Sequence, residues 1–167
     1  MTPESIFADL LINDNPQAIA WITGSENVPE LNGRIKFFNT PFGGVLVEAQ
    51  IFGLPTQTIR SMMNNSNMPA SVFYGMHIHE YGDCTPPFDE TGEHYNPTNT
   101  IHPYHAGDMV SLLGNNGFAY QVFYDKRFST QEIIGKSVII HSNPDDFMSQ
   151  PSGNSGSKIG CGVIRRF

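Results

Sequence analysis

Six histidines are distributed unevenly along this chain of 167 residues. None occurs in the first 76 residues, and five of the six fall within 29 consecutive positions. They are His77, His79, His94, His102, His105 and His141. Imidazole is the commonest side-chain ligand for metal ions in proteins. The clustering therefore predicts a metal site rather than histidines scattered by chance over a surface.

His77 and His79 are separated by one residue in a segment with the character of a β-strand. Residues two apart on a strand lie on the same face, so both imidazoles can reach one ion. Taken alone, a His-x-His pair is more often part of a solvated strand face. The pair becomes informative only together with the histidines that follow it.

The segment with His102, His105 and Asp108 offers two imidazoles and one carboxylate at close spacing. This set of donors suits zinc, which needs a fourth ligand to complete a closed tetrahedral site. His94 lies on the same predicted loop and can supply that ligand. The alternative is that these histidines only form local hydrogen bonds within the loop.

His94 can also belong to a second group of nitrogen ligands. The other members of that group are His77, His79 and His141. Four nitrogen donors in a roughly square arrangement favour copper(II). A histidine that serves both ions must lose both N–H protons, which two flanking dications make feasible near neutral pH. Asp145, four residues after His141, is predicted to accept the remaining N–H of a metal-bound histidine; its alternative is an ordinary turn residue.

The segments around these residues alternate between apolar and polar side chains with a period of two, which is typical of β-strands. We predict strands at residues 18–22, 34–38, 45–51, 72–79, 109–113, 118–124, 137–141 and 159–164. Asn32-Gly33 is a turn signal before the second strand, and residues 114–117 are predicted to close a hairpin. Two long stretches without periodicity, 81–107 and 142–158, are predicted to be loops, and a loop as long as the first is usually functional or disordered. The pattern indicates an antiparallel sandwich or barrel.

No repeat or boundary interrupts residues 17–167, which we predict to form one domain behind an N-terminal extension at residues 1–16. In the extension, Thr2-Pro3 and apolar residues at helical spacing predict a short helix that is packed loosely or not at all. Residues 56–69 are polar and rich in methionine and asparagine, and they are predicted to be a long connection.

Composition excludes several classes of function. The formal net charge is −7 and no cluster of basic residues is present, so nucleic acid is not an expected partner. No stretch is long enough to span a bilayer, and the first residues lack the positive region of a secretory signal. We therefore expect a cytoplasmic location, where Cys84 and Cys161 would by default be free, buried thiols.

Several motifs, present in a fixed order, resemble the signatures of the copper/zinc superoxide dismutase family. They are GMHIHEYGDC at 75–84, HYNP at 94–97, His102 with HAGD at 105–108, IIH at 139–141 with Asp145-Asp146, and GNSGSKIGCGVI at 153–164. The resemblance extends from about residue 18 to residue 164 and uses all six histidines.

The resemblance implies an all-β fold, an eight-stranded antiparallel Greek-key β-sandwich or barrel with two long functional loops. It implies conversion of two superoxide anions and two protons into oxygen and hydrogen peroxide, with His94 as the catalytic bridging ligand. The implied copper ligands are His77, His79, His94 and His141, and the implied zinc ligands are His94, His102, His105 and Asp108. It further implies a Cys84–Cys161 disulfide, a homodimer, and a copper chaperone as a further partner.

The sequence departs from the family at Lys158, which stands where the family has an arginine. Lysine keeps the charge but lacks the rigid fork of donors, so we expect steering of superoxide to survive and its docking to weaken. Ser152 matches a small hydroxyl residue that lines the substrate channel in relatives.

The alternative function is that of a non-catalytic family member, which captures metal or a copper chaperone. Such members usually lose ligands, whereas this chain keeps every matched one. A sandwich with incidental histidines would require all six to be placed by chance.

Overall fold

The protein is predominantly antiparallel β structure in the computed structural model, which describes residues 2–67 and 69–167. The strands in these ranges are β1 (Ala18–Gly24), β2 (Asn32–Asn39), β3 (Val45–Phe52), β4 (Phe73–Tyr74), β5 (Met76–His79), β6 (Leu112–Leu113), β7 (Ala119–Asp125), β8 (Ser137–His141) and β9 (Lys158–Arg166). The helices are α1 (Pro3–Asn13), α2 (Ile59–Met63) and α3 (Thr130–Ile133). The predicted all-β class is confirmed.

Seven strands form one curled sheet in the order β5-β8-β9-β1-β2-β3-β7, and all neighbouring strands are antiparallel. Because β5 lies at one end of this order and the neighbouring strands β3 and β7 lie at the other, the chain must cross over the core after β3, after β5 and again after β7. These crossings are the Greek-key connections of the implied fold. Alternating residues of β1 to β3, such as Ala20, Ile35 and Val47, are fully buried in the core that the sheet encloses.

One predicted strand, residues 72–79, is two strands in the structure. Gly75 separates β4 from β5, and its N–H donates to the Asn143 carbonyl at 2.7 Å. The Gly75 carbonyl in turn accepts the His141 N–H at 2.8 Å. The strand therefore changes partners at this residue, from β6 in a small second sheet to β8 in the main sheet.

The predicted hairpin at residues 109–124 is only partly correct. The turn exists, closed by a bridge between Asn115 and Phe118, but the two residues of β6 pair with β4 rather than with β7. Turn residues specify a local reversal of the chain, whereas the partner of a two-residue strand depends on which neighbour covers the core.

The Asn32-Gly33 turn prediction is wrong, because both residues lie inside β2. The chain reverses earlier, where Val28 N–H donates to the Ser25 carbonyl and Leu31 N–H donates to the Val28 carbonyl. Gly33 is needed for a different reason: a Cβ there would lie 2.2 Å from the Gln50 carbonyl oxygen of β3.

The predicted N-terminal helix is present as α1, and it is packed rather than free. The Thr2 hydroxyl caps it by accepting the Ser5 N–H at 3.4 Å. Leu10 packs with Phe38 and Leu46 on the outer face of β2 and β3. The ring of Phe7 lies 5.5 Å from that of Tyr124. Within residues 2–67 and 69–167, no helix is long and apolar enough to cross a membrane.

Candidate metal centre

The loop after β5 folds back along the free edge of that strand. Ile78 N–H donates to the Gly107 carbonyl at 2.9 Å, and Tyr95 N–H donates to the Ile78 carbonyl at 2.7 Å. Gly107 permits this close approach, since a Cβ there would lie 2.3 Å from the Ile78 oxygen. The same contacts bring His94 opposite His79 and Asp108 opposite His77 in two isolated β-bridges.

The first cluster consists of four buried imidazoles whose ring nitrogens converge. They are Nδ1 of His77 and Nε2 of His79, His94 and His141. The ligand atoms of this cluster lie within 4.8 Å of one another, and all four residues are buried. None of these four nitrogens has a hydrogen-bond partner among the described residues. Four orphaned polar atoms at one buried point would be costly, and a shared metal ion resolves that cost.

The opposite ring nitrogens of this cluster are anchored. His77 Nε2 lies 2.8 Å from Asp145 Oδ2, and His79 Nδ1 lies 2.9 Å from the Gly92 carbonyl oxygen. His141 Nδ1 faces the Gly156 carbonyl oxygen at 3.4 Å. An anchored N–H orients the ring and leaves the other nitrogen free to bind an ion.

The second cluster surrounds the Asp108 carboxylate. Its Oδ1 lies 2.7 Å from His94 Nδ1 and 3.2 Å from His105 Nδ1, and its Oδ2 lies 3.1 Å from His102 Nδ1. The four potential ligand atoms lie within 4.8 Å of one another. Three imidazole nitrogens and one carboxylate form a donor set that fits zinc.

The Asp145 carboxylate connects the two clusters. One oxygen lies 2.8 Å from His77 Nε2, and the other lies 2.9 Å from His102 Nε2. The predicted contact of Asp145 with a histidine of the first cluster is therefore present, and the partner is His77 rather than His141, the histidine nearest to Asp145 in sequence. The His141 ring faces the Gly156 carbonyl instead.

Burial sets the protonation states that metal binding requires. Desolvation lowers the pKa of His77 and of His79 well below the usual value, and neighbouring histidines add to the effect. Burial lowers the pKa of His141 to about 3. Burial alone would raise the pKa of Asp108, but the hydrogen bond with His94 and the electrostatic effect of the surrounding histidines bring that pKa below the usual range. Neutral imidazoles and an ionised carboxylate are the forms that bind metal.

Comparison with known proteins gives the arrangement its context. The sequence profile of "Copper/zinc superoxide dismutase (SODC)" matches residues 31–164. The chain belongs to the copper/zinc superoxide dismutase family. It is 34% identical over 166 residues to "Superoxide dismutase [Cu-Zn] 3" of Arabidopsis thaliana, covering 90% of each chain. It is 33% identical over 153 residues to "Superoxide dismutase [Cu-Zn] 2" of Aquifex aeolicus, covering 81% of this chain and 88% of the relative.

A solved structure is also similar to this chain over most of its length. The structure is "Crystal Structure Analysis of the clock protein EA4". Its comparison with this chain gives a TM-score of 0.73 and 27% sequence identity, and the match covers 91% of this chain and 96% of that one. Together with the relatives and the two histidine clusters, the family membership identifies the protein as a superoxide dismutase that uses copper and zinc.

Lys158 of the enzyme lines a cavity of about 670 Å³ that also reaches Gly156, the residue whose carbonyl faces His141. Its ammonium donates to the Thr91 hydroxyl at 2.9 Å, the Phe88 carbonyl at 3.1 Å and the Gly92 carbonyl at 3.4 Å. An ammonium has three N–H donors, so these contacts use all of them. Lys158 therefore presents a charge to the cavity but no free donor.

Two acidic residues, Glu26 and Asp89, line the same cavity. The pKa of Lys158 is lowered by burial, and the negative charge of Asp89 opposes this shift. The sequence identified Lys158 but neither acid, because Glu26 belongs to the β1–β2 connection and only the fold brings it to the cavity.

Ser152 is not among the residues that line this cavity. Its carbonyl accepts a hydrogen bond from the Ser155 hydroxyl. Its role in a substrate channel stays a prediction.

The implied disulfide is present between Cys84 and Cys161, whose Cα atoms are 5.6 Å apart. The default of two free thiols is therefore wrong for this chain. Cys161 packs with Phe88 and Ile139 in a small buried cluster, and Cys84 packs against that cluster. The bond joins the loop after β5 to β9, three residues from Lys158, so it connects two of the segments that surround the cavity.

Proposed function

We propose that this superoxide dismutase holds copper in the first cluster and zinc in the second, with His94 shared between them. The assignment is supported by the donor sets, since four imidazoles favour copper and three imidazoles with a carboxylate favour zinc. It is supported most directly by His94, whose Nε2 is orphaned beside the first cluster while its Nδ1 lies 2.7 Å from Asp108 in the second.

Copper, when bound, supplies the one-electron exchange with superoxide, and zinc supplies a fixed positive charge without redox chemistry. The protein residues control protons and geometry. His94 Nε2 is the atom at which a proton is taken up and then returned to the forming peroxide. Asp108 holds His94 Nδ1 and so keeps the imidazole ring in place during that transfer. Asp145 orients His77 and His102 together, which couples the geometry of the two clusters.

Metal analysis of two single-ligand variants tests this assignment. His141→Ala is expected to lose copper and keep zinc, whereas His105→Ala is expected to lose zinc and keep copper. Elemental analysis should be run on the same samples as a superoxide-decay assay. Loss of the same metal from both variants would overturn the assignment. Full loading of the unmodified protein without superoxide decay would favour the non-catalytic alternative.

Lys158 is proposed to attract superoxide into the cavity beside the first cluster. Replacement with glutamate reverses the local charge, so the second-order rate is expected to fall by about tenfold or more and to increase with salt. Lys158→Arg keeps the charge and adds free donors, so it is the matched control and should retain or increase the rate. An unchanged rate in Lys158→Glu would mean that another cation attracts the substrate.

The pH profile gives a second measurement of Lys158. The lowered pKa means that its charge is fully present at neutral pH and is lost as the pH rises through a value below that of an ordinary lysine. The rate is therefore expected to decline on the alkaline side earlier than for an exposed lysine. In Lys158→Arg the decline should disappear, because arginine stays charged throughout this range. Identical profiles for both proteins would contradict the proposal.

A homodimer and delivery of copper by a copper chaperone are further proposals for this enzyme. They are supported by family resemblance, because members of the family are usually dimers. Sedimentation equilibrium would test the first, with a mass of one chain contradicting it. A cytoplasmic location, a 1–16 extension and a 17–167 domain stay predictions from the sequence.

A further inference from the structure

Arg127 contacts the segment that carries two ligands of the second cluster, although it lies outside both histidine clusters. Its NH2 group donates to the Asp108 carbonyl, and its NH1 group donates to the His105 carbonyl at 3.4 Å. Arg127 therefore bonds the main chain at both ends of the His105–Asp108 turn. Neither ligand side chain is touched directly.

The guanidinium is itself held by Asp125, the last residue of β7. Arg127 Nε lies 3.0 Å from Asp125 Oδ1, and NH2 lies 2.6 Å from Oδ2. Asp125 Oδ1 also accepts the Arg127 N–H at 2.8 Å. Asp125 is 7% exposed and pairs with Val45 in the main sheet. The pair of Asp125 and Arg127, which we call the β7 clamp, thus links a rigid strand to the metal-binding turn.

We propose that Arg127 is a positioning residue that sets how tightly the second cluster retains zinc; this inference rests on the proposed assignment of zinc to that cluster. The turn belongs to a long loop with few regular strand pairs, so its ligands depend on tethers of this kind. The paired charge of Asp125 offsets that of the guanidinium, which otherwise would repel a nearby cation. The planar fork of arginine bonds the Asp125 carboxylate through two nitrogens while it also donates to two carbonyls, a rigid geometry that the single ammonium of lysine cannot reproduce.

Zinc dissociation into a chelator tests the β7 clamp. Arg127→Gln is expected to release zinc about 10- to 100-fold faster, as for other groups that orient metal ligands. Asp125→Asn should act in the same direction, and Arg127→Lys should fall between Arg127→Gln and the unmodified protein. Copper dissociation is expected to change by less than about twofold. Cobalt placed in the second cluster should show an altered absorption spectrum in Arg127→Gln, which a purely structural role would not produce.

Exposed Arg165 on β9 provides the matched control, and Arg165→Gln should release zinc at the unmodified rate. Equal zinc release from Arg127→Gln and Arg165→Gln would overturn the role of Arg127. Equal acceleration of copper and zinc release would also overturn it, because that result indicates general loosening. If His105→Ala keeps its zinc, the assignment of the second cluster fails first, and the clamp proposal fails with it.

Arg60 carries a second inference, which does not depend on Arg127. Arg60 is the single charged residue of the 56–69 connection. It lies on α2 and lines a pocket of about 210 Å³ together with Ser142, Asn143 and Ser157. Ser157 also lines the cavity of Lys158. The two pockets therefore have Ser157 in common, and Arg60 lines the pocket that does not contain Lys158. In the described part of the chain, no carboxylate forms an ion pair with Arg60.

We infer that Arg60 is a second steering cation for superoxide; this inference also rests on the proposed role of the Lys158 cavity. The loop at 142–158 carries two acidic residues and has Lys158 as its sole base, so the 56–69 connection supplies charge that the loop lacks. The effect of a single exposed charge is modest. We expect Arg60→Gln to lower the second-order rate by about twofold at low salt, and Arg60→Glu by about fourfold.

Salt dependence separates steering from a structural effect. At about 0.01 M ionic strength the variants should differ from the unmodified protein, and at about 0.15 M the difference should shrink. Arg165→Gln is the control, because Arg165 lies seven residues along β9 from Lys158, or about 23 Å. A salt-independent loss in Arg60→Gln, or an equal loss in Arg165→Gln, would overturn the inference. If Lys158→Glu has no effect in the same assay, the proposed role of the Lys158 cavity in attracting superoxide is wrong, and the inference about Arg60 fails with it.

Discussion

Replacing His94 with alanine is expected to lower the rate of superoxide decay by at least about 100-fold, a larger loss than for any residue that only orients a ligand. Residues of that kind contribute about 10- to 100-fold, whereas His94 contributes ring atoms to both clusters. Its Nε2 is orphaned within the first cluster, and its Nδ1 contacts Asp108 in the second. One substitution therefore removes a ligand from each proposed ion and the proposed proton carrier.

The measurement that isolates the shared role is the redox potential of copper with and without zinc. In the unmodified protein, removal of zinc should shift that potential, because one ring joins the two ions. In His94→Ala, with both metals restored by excess ion, the shift should vanish. His141→Ala and His105→Ala, reloaded with both metals in the same way, are the matched controls, since each residue belongs to only one cluster. A His94→Ala variant with unchanged activity would rule out the shared histidine.

The ligand set was accessible from sequence because its chemistry is restricted to few residue types. Two histidines separated by one residue on a strand must share a face, and β5 places His77 and His79 in that way. The converging nitrogens of His94 and His141 could be inferred only from the order of motifs, since they come from a loop and from β8. The spacing of the histidines does not predict the β-bridge between His79 and His94, which forms when the loop folds along the edge of β5.

The partners that orient the ligands were less predictable, and the reason is physical. Asp145 is four residues from His141 but reaches His77 and His102, which are 68 and 43 positions away. Main-chain carbonyls of Gly92 and Gly156 hold two other rings, and any residue type can supply a carbonyl. Arg127 likewise has no sequence signature, because its contacts with the metal-binding turn depend on where β7 ends.

The errors in the fold have a similar origin. Asn32-Gly33 is a strong turn signal, yet Gly33 is required for its close approach to Gln50 rather than for a reversal of the chain. The 109–113 segment is predicted to form one strand of a hairpin, but only its residues 112 and 113 form a strand, and they pair with β4. Local signals of this kind are reliable for long alternating strands such as β3 and less so where a strand has two residues.

Removal of the disulfide is expected to cause the largest loss of stability. In the chain-entropy model, closing a loop of 77 residues contributes about 4 kcal/mol to the free energy of unfolding. For a chain of this size, that loss lowers the melting temperature by about 10 °C. The double variant Cys84→Ala, Cys161→Ala avoids a leftover thiol, and differential scanning calorimetry of metal-loaded protein measures the change.

The Cys84–Cys161 bond is also expected to hold the shape of the cavity that Lys158 lines. Cys84 belongs to the loop that holds Phe88, Thr91 and Gly92, the three partners of the Lys158 ammonium. Without the bond, that loop is tied to β9 mainly by Lys158 itself, so the charge at the cavity loses its fixed position. The rate is then expected to fall together with its salt dependence, before any unfolding occurs. Chemical reduction of the unmodified protein should reproduce both changes, while the double variant should not respond to the reductant. A melting temperature within about 2 °C of the unmodified value would contradict the loop-closure argument.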